Sequence, residues 1–393
     1  MTSEPMFFST LVDTADHHRD LRDGVAKLAG RFGRRYFQDV VAKGAQPDEL
    51  WKELAAAGYL GAHIPEAYGG GGGGLAELNI VIEECSAQGC PLLAMVISSI
   101  CAPIIAQFGS DELKRIWLPG IADGSRKMAF AITEPDAGSN THRISTTART
   151  KGSGWVLNGT KYWTSAIDHS ESVLVVARDA DIATPEGRSA LSLFIVPTRT
   201  PGLSYQPIDA APRTTEKQFT VFFDNVALPP EALVGERGAG LKQVFVGLNP
   251  ERVSAAAINN GISRFALTKA AQYAKERTVW KTTIGAHQGV AHPLAEAYIG
   301  VQAARLLTAR AAQLYDLGED AAEAANMAKF AAADSSLKAL DQAIQVHGGN
   351  GLAHEYGLAD LWFIARLHKT APVSREMILN YVAQHSLGLA KSY

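Results

Sequence analysis

Cysteine is scarce in this chain: 393 residues hold three, Cys85, Cys90 and Cys101. An odd, sparse set excludes a disulfide framework and suits buried thiols in a reducing compartment. Charge of one sign is also lacking. A net charge of −3 gives no electrostatic reason to expect nucleic acid or an anionic membrane as a partner. No apolar run approaches the roughly 18 residues of a membrane span. Met1 to Asp16 lacks the basic start and apolar stretch of a secretory signal, so a cytoplasmic location without a membrane span is expected. Metal motifs are missing too. His287 and His292 are five apart, which misses the i, i+4 spacing of paired helix ligands, and His17-His18 falls in a terminus expected to be mobile. No metal is therefore expected. With no G-x-S-x-G elbow and no C-x-x-C pair, hydrolase and thioredoxin chemistry have no starting point.

What is present is core. At 47% hydrophobic and 20% charged residues the chain is globular, and a prior of roughly 100–200 residues per domain gives two to four domains. The first third reads as helical. Leu50 to Ala57 and Leu75 to Gln88 have apolar residues at helical spacing, and Pro91 to Phe108 is apolar nearly all round. Between them Gly69 to Gly74 is six glycines, expected to be a flexible loop, since no convincing strand precedes it as a dinucleotide fingerprint requires.

The texture changes near Met128. Short β-rich segments follow at Met128 to Thr133, Trp155 to Asn158, Ser172 to Ala177, Leu191 to Pro197 and Gln218 to Phe223. Asn158-Gly159 signals a hairpin, Pro201-Gly202 another turn, and Asn225 to Gly240 a connecting loop. From Gly240 the pattern is helical again, over Val253 to Arg277, Leu294 to Tyr315, Ala321 to Val346 and about Ser374 to His385. The expected fold class is α+β multidomain: an N-terminal helical domain (1–126), a middle β domain (127–236) and a C-terminal helical domain (237–393).

Two stretches carry chemistry. In Gly247-Leu248-Asn249-Pro250-Glu251-Arg252, Asn is a good N-cap and Pro suits the first helical position, so a helix is expected to start there. Glu251 could equally serve to take a proton and Arg252 to hold an anion. The second stretch, Phe130 to Asn140, runs from a strand into a Pro/Gly/Ser turn rich in N–H and hydroxyl donors. It reads either as a decorated turn or as a cradle for a phosphate or a heterocycle rim.

Four ordered blocks add to this: Ile132-Thr133-Glu134-Pro135-Asp136-Ala137-Gly138-Ser139, Leu157-Asn158-Gly159-Thr160-Lys161-Tyr162-Trp163-Thr164-Ser165, Tyr273-Ala274-Lys275-Glu276-Arg277 and Gln345-Val346-His347-Gly348-Gly349-Asn350-Gly351. From about residue 45 onward the chain resembles the acyl-CoA dehydrogenase family of flavoproteins. The resemblance implies two helical domains around a β-barrel and FAD as cofactor. Phe130, Ile132 and Thr133 would line the flavin's polar edge, and Trp163 and Ser165 its other wall. Ser139 would face the flavin cofactor's phosphates or the pantetheine of bound acyl-CoA. Arg277, Trp280 and Gln288 match positions that hold the adenine half of FAD across a subunit interface, and Gln345, Gly348 and Gly349 the turn at its pyrophosphate. A homo-oligomer, usually a tetramer, and an electron-transferring flavoprotein as electron acceptor are implied as well.

One departure is large. Most members keep a catalytic glutamate near the C-terminus, where this chain has Thr370-Ala371-Pro372-Val373-Ser374, and neither Ala371 nor Pro372 can accept a proton. Glu376 lies about one turn further on. The isovaleryl-CoA and long-chain type places the base on the earlier helix, in a motif similar to Leu248-Asn249-Pro250-Glu251-Arg252. Glu251 is then implied as base, Arg252 as its partner near the acyl-CoA, and Asn249 as a contact to the substrate's adenine end. The implied reaction is removal of the α-proton with hydride transfer from the β-carbon to flavin N5, giving a trans-2-enoyl-CoA. Burial is expected to raise the pKa of Glu251 against the helix dipole. A same-fold monooxygenase or acyl-CoA oxidase, and a non-catalytic subunit of a heteromeric dehydrogenase, are the alternatives.

Overall fold

A computed structural model describes residues 12, 15–184 and 189–391. Six helices come first: α1 (Asp16–Gly30), α2 (Gly33–Ala42), α3 (Asp48–Ala56), α4 (Leu75–Ala87), α5 (Leu93–Phe108) and α6 (Asp111–Ala122). Eight strands follow: β1 (Met128–Ala131), β2 (Thr147–Lys151), β3 (Gly154–Ser165), β4 (Ser172–Ala183), β5 (Ser189–Pro197), β6 (Leu203–Ile208), β7 (Gln218–Leu228) and β8 (Leu233–Val234). They make one sheet in the order β6-β7-β3-β2-β4-β5-β8, with β1 running parallel beside β4. The chain then returns to helix in α7 (Gly240–Glu276), a two-stranded ribbon of β9 (Thr278–Val279) and β10 (Thr282–Thr283), α8 (Gln288–Asp316), α9 (Ala322–His347), α10 (Leu361–Leu367) and α11 (Arg375–Tyr381). No described helix is long and apolar enough to cross a membrane.

α7 is the axis of the molecule. Its middle is buried on all sides, with Val253 to Ser263 an unbroken buried run. Two glycines set its distance from its neighbours. A Cβ on Gly247 would lie 2.5 Å from the Ile100 carbonyl of α5, and one on Gly261 would lie 2.3 Å from the Glu83 carbonyl of α4. Only glycine permits backbone approach that close. Polar groups inside the bundle are paired across helices: Ser254 donates to Asn79 at 2.9 Å, and Asn260 to Thr308 at 2.9 Å. Arg22, Arg264 and Arg305 surround the buried carboxylates of Glu83 and Glu84.

Three expectations are corrected. Asn158-Gly159 is no hairpin, because β3 runs straight through it. Gly159 (φ +146°) sits at a bulge against β7 and would place a Cβ 2.6 Å from Thr146, so the glycine serves close packing. The real turn is at Gly152, φ +62°, between β2 and β3. The six glycines do not form a free loop. Gly71, Gly72 and Gly73 donate to the carbonyls of Gly61, Ile64 and Ala62, each at 3.0 Å, so the run lies hydrogen-bonded along residues 61–64. His18, finally, is not in a loose terminus. It belongs to α1 and bonds Glu77 Oε1 at 2.8 Å, while Gly74 N–H holds Glu77 Oε2 at 2.7 Å. His17 stands 3.5 Å from the same Oε1. This contact docks α1 on α4. The three cysteines are buried free thiols, as expected.

Candidate active site

Asn249 and Pro250 do not begin a helix. α7 starts nine residues before Asn249, at Gly240, and passes through Pro250. The apolar stretch Leu241 to Leu248 supplies a helical face that the proline alone does not stop. Proline cannot donate to the carbonyl four residues earlier, that of Val246. Tyr315 on α8 donates its hydroxyl there instead, at 3.0 Å. Glu251 therefore lies about three turns into the helix, beyond the reach of the helix dipole, which fades within the first turn.

Glu251 is nonetheless strongly perturbed. Protein surrounds it while it keeps partial solvent contact, and burial pushes its pKa up to about 7 against the pull of Arg252 and Lys329. Its charge is felt by the Cys101 thiol of α5, and Cys101 itself points at the Ala129 carbonyl of β1. Glu251 thus faces the junction of α5 with the sheet. Leu248, Phe130 and Ile132 pack on the same apolar cluster, built from Ile100, Ile104, Leu174 and Ile195 among others. Arg252 donates to Asn249 Oδ1 at 2.6 Å, so Asn249 is spent in part on orienting Arg252.

The sheet edge beside this junction is held by a buried ion pair. Lys161 of β3 donates to Glu134 Oε1 and to the Ile132 carbonyl, both at 2.9 Å. Glu134 also accepts from Ser145 N–H and hydroxyl and from Thr146 N–H. Burial opposes its charge, but Lys161 and these donors outweigh it and bring Glu134 down to about 2, while burial lowers Lys161 to about 8. With Tyr162 N–H on the Thr133 carbonyl at 2.8 Å, this pair aligns Ile132 and Thr133 with Trp163 and Ser165. Trp163 is 47% exposed with φ +58°, and Ser165 donates to Gln218 at 3.0 Å. An exposed indole on a strained backbone, next to the half-buried Phe130, Ile132 and Thr133, offers a flat surface and a polar edge of the kind a flavin ring requires. Sequence reading assigned no role to Glu134 or Lys161. Both stand inside the motif blocks, but they are 27 residues apart with β2 between them, and no local pattern links them. Ser139 lies exposed in that turn.

A third group gathers at the far end of α7. Tyr273 stacks on His347 at 4.3 Å and accepts from Asn350 at 3.3 Å, joining the ends of α7 and α9. The β9–β10 ribbon carries Trp280, 89% exposed at φ +56°, and brings Ile284 N–H back to the Arg277 carbonyl at 2.8 Å before Gln288 opens α8. Gln345, Gly348 and Gly349 are exposed here. Gly348 has φ +59° and ψ −138°, a glycine conformation, and neither glycine has any atom within 4 Å of where a Cβ would lie. The open backbone is suited to the approach of a phosphate. Arg277 is 26 residues beyond Glu251 along one helix, about 39 Å at 1.5 Å per residue. A cavity of about 920 Å³ has Pro250 and Tyr315 in its wall but not Glu251.

Known proteins share this plan. Residues 15–125 match the acyl-CoA dehydrogenase N-terminal domain, 129–226 the middle domain and 238–387 the C-terminal domain. The acyl-CoA dehydrogenase FadE12 of Mycobacterium tuberculosis is 53% identical over 382 residues, covering 96% of this chain and 98% of that protein. The structure of a glutaryl-coenzyme A dehydrogenase with glutaryl-CoA superposes with TM-score 0.90 at 28% identity, covering 97% of both chains. A Mycobacterium smegmatis glutaryl-CoA dehydrogenase with FADH2 gives 0.88 at 25%, covering 96% of both. The three domain matches, in order and with little of the chain outside them, show that this chain belongs to the acyl-CoA dehydrogenase family.

Proposed function

We propose that Glu251 is the base of an FAD-dependent α,β-dehydrogenation of acyl-CoA thioesters, and that Arg252 and Asn249 hold the CoA side of the substrate. The observation that carries this reading is Glu251 itself: a recessed carboxylate, raised toward neutrality by burial, facing the junction where the flavin-edge residues meet α7. FAD, when bound, supplies the hydride acceptor. The residues do the remaining work. Phe130, Ile132, Thr133, Trp163 and Ser165 would seat the ring, Ser139 would meet phosphate or pantetheine, and the apolar wall of α5 would keep water from the acyl chain. Glu251, ionised, takes the α-proton onto its carboxylate, and its pKa near 7 matches the operating range of a general base. The bond that held the proton leaves its electron pair to form the Cα–Cβ double bond as hydride departs from Cβ. Glu376 is exposed, in the first turn of α11, and is a poorer candidate.

Arg277, Trp280, Gln288, Gln345, Gly348 and Gly349 would hold the adenine and pyrophosphate of FAD. The distance of Arg277 from Glu251, about 39 Å, exceeds the length of one extended dinucleotide. This favours FAD shared between copies of the chain in a homo-oligomer, as does the exposed Trp280. An electron-transferring flavoprotein would then reoxidise the flavin. The test is to mix purified protein anaerobically with octanoyl-, isovaleryl- and palmitoyl-CoA and watch the flavin absorbance. Bleaching with formation of a 2-enoyl-CoA is expected from at least one, and no bleaching from any thioester contradicts the reading.

A further inference from the structure

The face that α9 turns inward is mostly alanine, and one cation interrupts it. Lys329 is 1% exposed, and its Nζ donates to the Val373 carbonyl. That carbonyl belongs to the loop 371–373, which holds no side chain able to accept a proton and whose Pro372 has no N–H. Four charged groups face Lys329: Glu251 and Arg252 from α7, Glu376 from α11, and Asp334 from α9 itself. The imidazole of His368, buried at the end of α10, is the other titratable neighbour. Their circumstances differ. Asp334 is paired with Lys369 at 2.8 Å, Glu376 is exposed, and Arg252 is tied to Asn249. Glu251 alone among the carboxylates shares the water-poor surroundings of Lys329.

We propose that Lys329 is a positioning residue of the dehydrogenation site, tying the 371–373 loop to α9 and adding to Arg252 a second positive charge that favours ionised Glu251. This rests on the reading of Glu251 as base. A buried ammonium is costly unless it is paired and hydrogen-bonded. The hydrogen bond is made to the Val373 carbonyl, and the charge of Glu251, though not in direct contact, favours the ammonium. Lys329 adds to what keeps so buried a carboxylate available as a base near pH 7: burial raises the pKa of Glu251, and Arg252 and then Lys329 pull it back.

The test compares K329M and K329R with the unaltered FAD-loaded protein, using whichever of octanoyl-, isovaleryl- and palmitoyl-CoA bleaches it fastest. Flavin reduction is followed from pH 5.5 to 9, and amide exchange of residues 370–374 is measured without substrate. K329M is expected to keep its FAD, to move the pH midpoint of reduction up by about one pH unit and to exchange the loop amides faster. K329R is expected to restore the midpoint. A K329M protein with an unchanged midpoint overturns the proposal. So does failure of both K329M and the milder K329Q to fold or hold FAD, since the lysine is then a framework residue only. An E251Q protein that bleaches at full rate removes the base assignment itself. If E251Q is inactive and K329M has an unchanged midpoint, only the role of Lys329 falls.

Discussion

The Tyr315 hydroxyl donates to the Val246 carbonyl at 3.0 Å, filling the place left empty by Pro250. A proline inside a helix costs a hydrogen bond and kinks the axis unless another donor compensates. Y315F is expected to destabilise the protein by about 1 kcal/mol, the usual net value of one hydrogen bond. In a P250A background the restored N–H should make the same change nearly neutral. Chemical denaturation of the four proteins checks this, and an equal effect of Y315F in both backgrounds contradicts it.

The Glu134–Lys161 pair predicts an acid-sensitive β domain. Because the pKa of Glu134 is depressed from 4.5 to about 2 in the folded state, its contribution to stability is fully present above about pH 5 and is lost as pH falls toward 2. E134Q should remove that part of the slope in a stability–pH profile. K161M strands a buried carboxylate and should cost about 3–5 kcal/mol, with loss of flavin.

Gly349 separates fold from cofactor. No atom lies within 4 Å of the place for its Cβ, so G349A should melt at the same temperature as the unaltered chain once both are stripped of FAD. If the pyrophosphate passes over this turn, G349A should retain less FAD after gel filtration. Equal retention removes Gly349 from the cofactor site.

Glu251 should weaken the fold it serves. Its folded pKa lies above its unfolded value, so the protein holds an extra proton between about pH 4.5 and 7 and loses stability as pH rises through that window. E251Q is expected to be more stable than the unaltered protein at pH 8, with the gain vanishing below pH 5. Thermal denaturation at the two pH values measures it, and equal stability at pH 8 argues that Glu251 pays no burial penalty.

The order of helical, β and helical segments is legible in the sequence because long apolar periodicity survives at Leu75 to Gln88 and Val253 to Arg277. Local turn chemistry misleads where tertiary packing overrides it. Asn158-Gly159 has hairpin composition, yet Gly159 serves a bulge against Thr146, and Asn249-Pro250 has helix-start composition, yet Tyr315 lets α7 run through it. The glycine run 69–74 has the composition of a flexible loop, yet the N–H groups of Gly69 to Gly73 are taken by carbonyls of residues 61–66 and that of Gly74 by Glu77. Glu134, Lys161 and Lys329 were hidden for a different reason: their partners are 27, 27 and 44 residues away, and no local pattern marks a buried ion pair.

Anaerobic flavin reduction by the most reactive acyl-CoA, compared between the unaltered protein and E251Q, tests the central claim most directly. Removing the base should leave FAD content unchanged and slow bleaching by roughly 10²–10⁴-fold, the usual contribution of general acid–base catalysis. Bleaching by E251Q at the unaltered rate would show that another residue takes the α-proton.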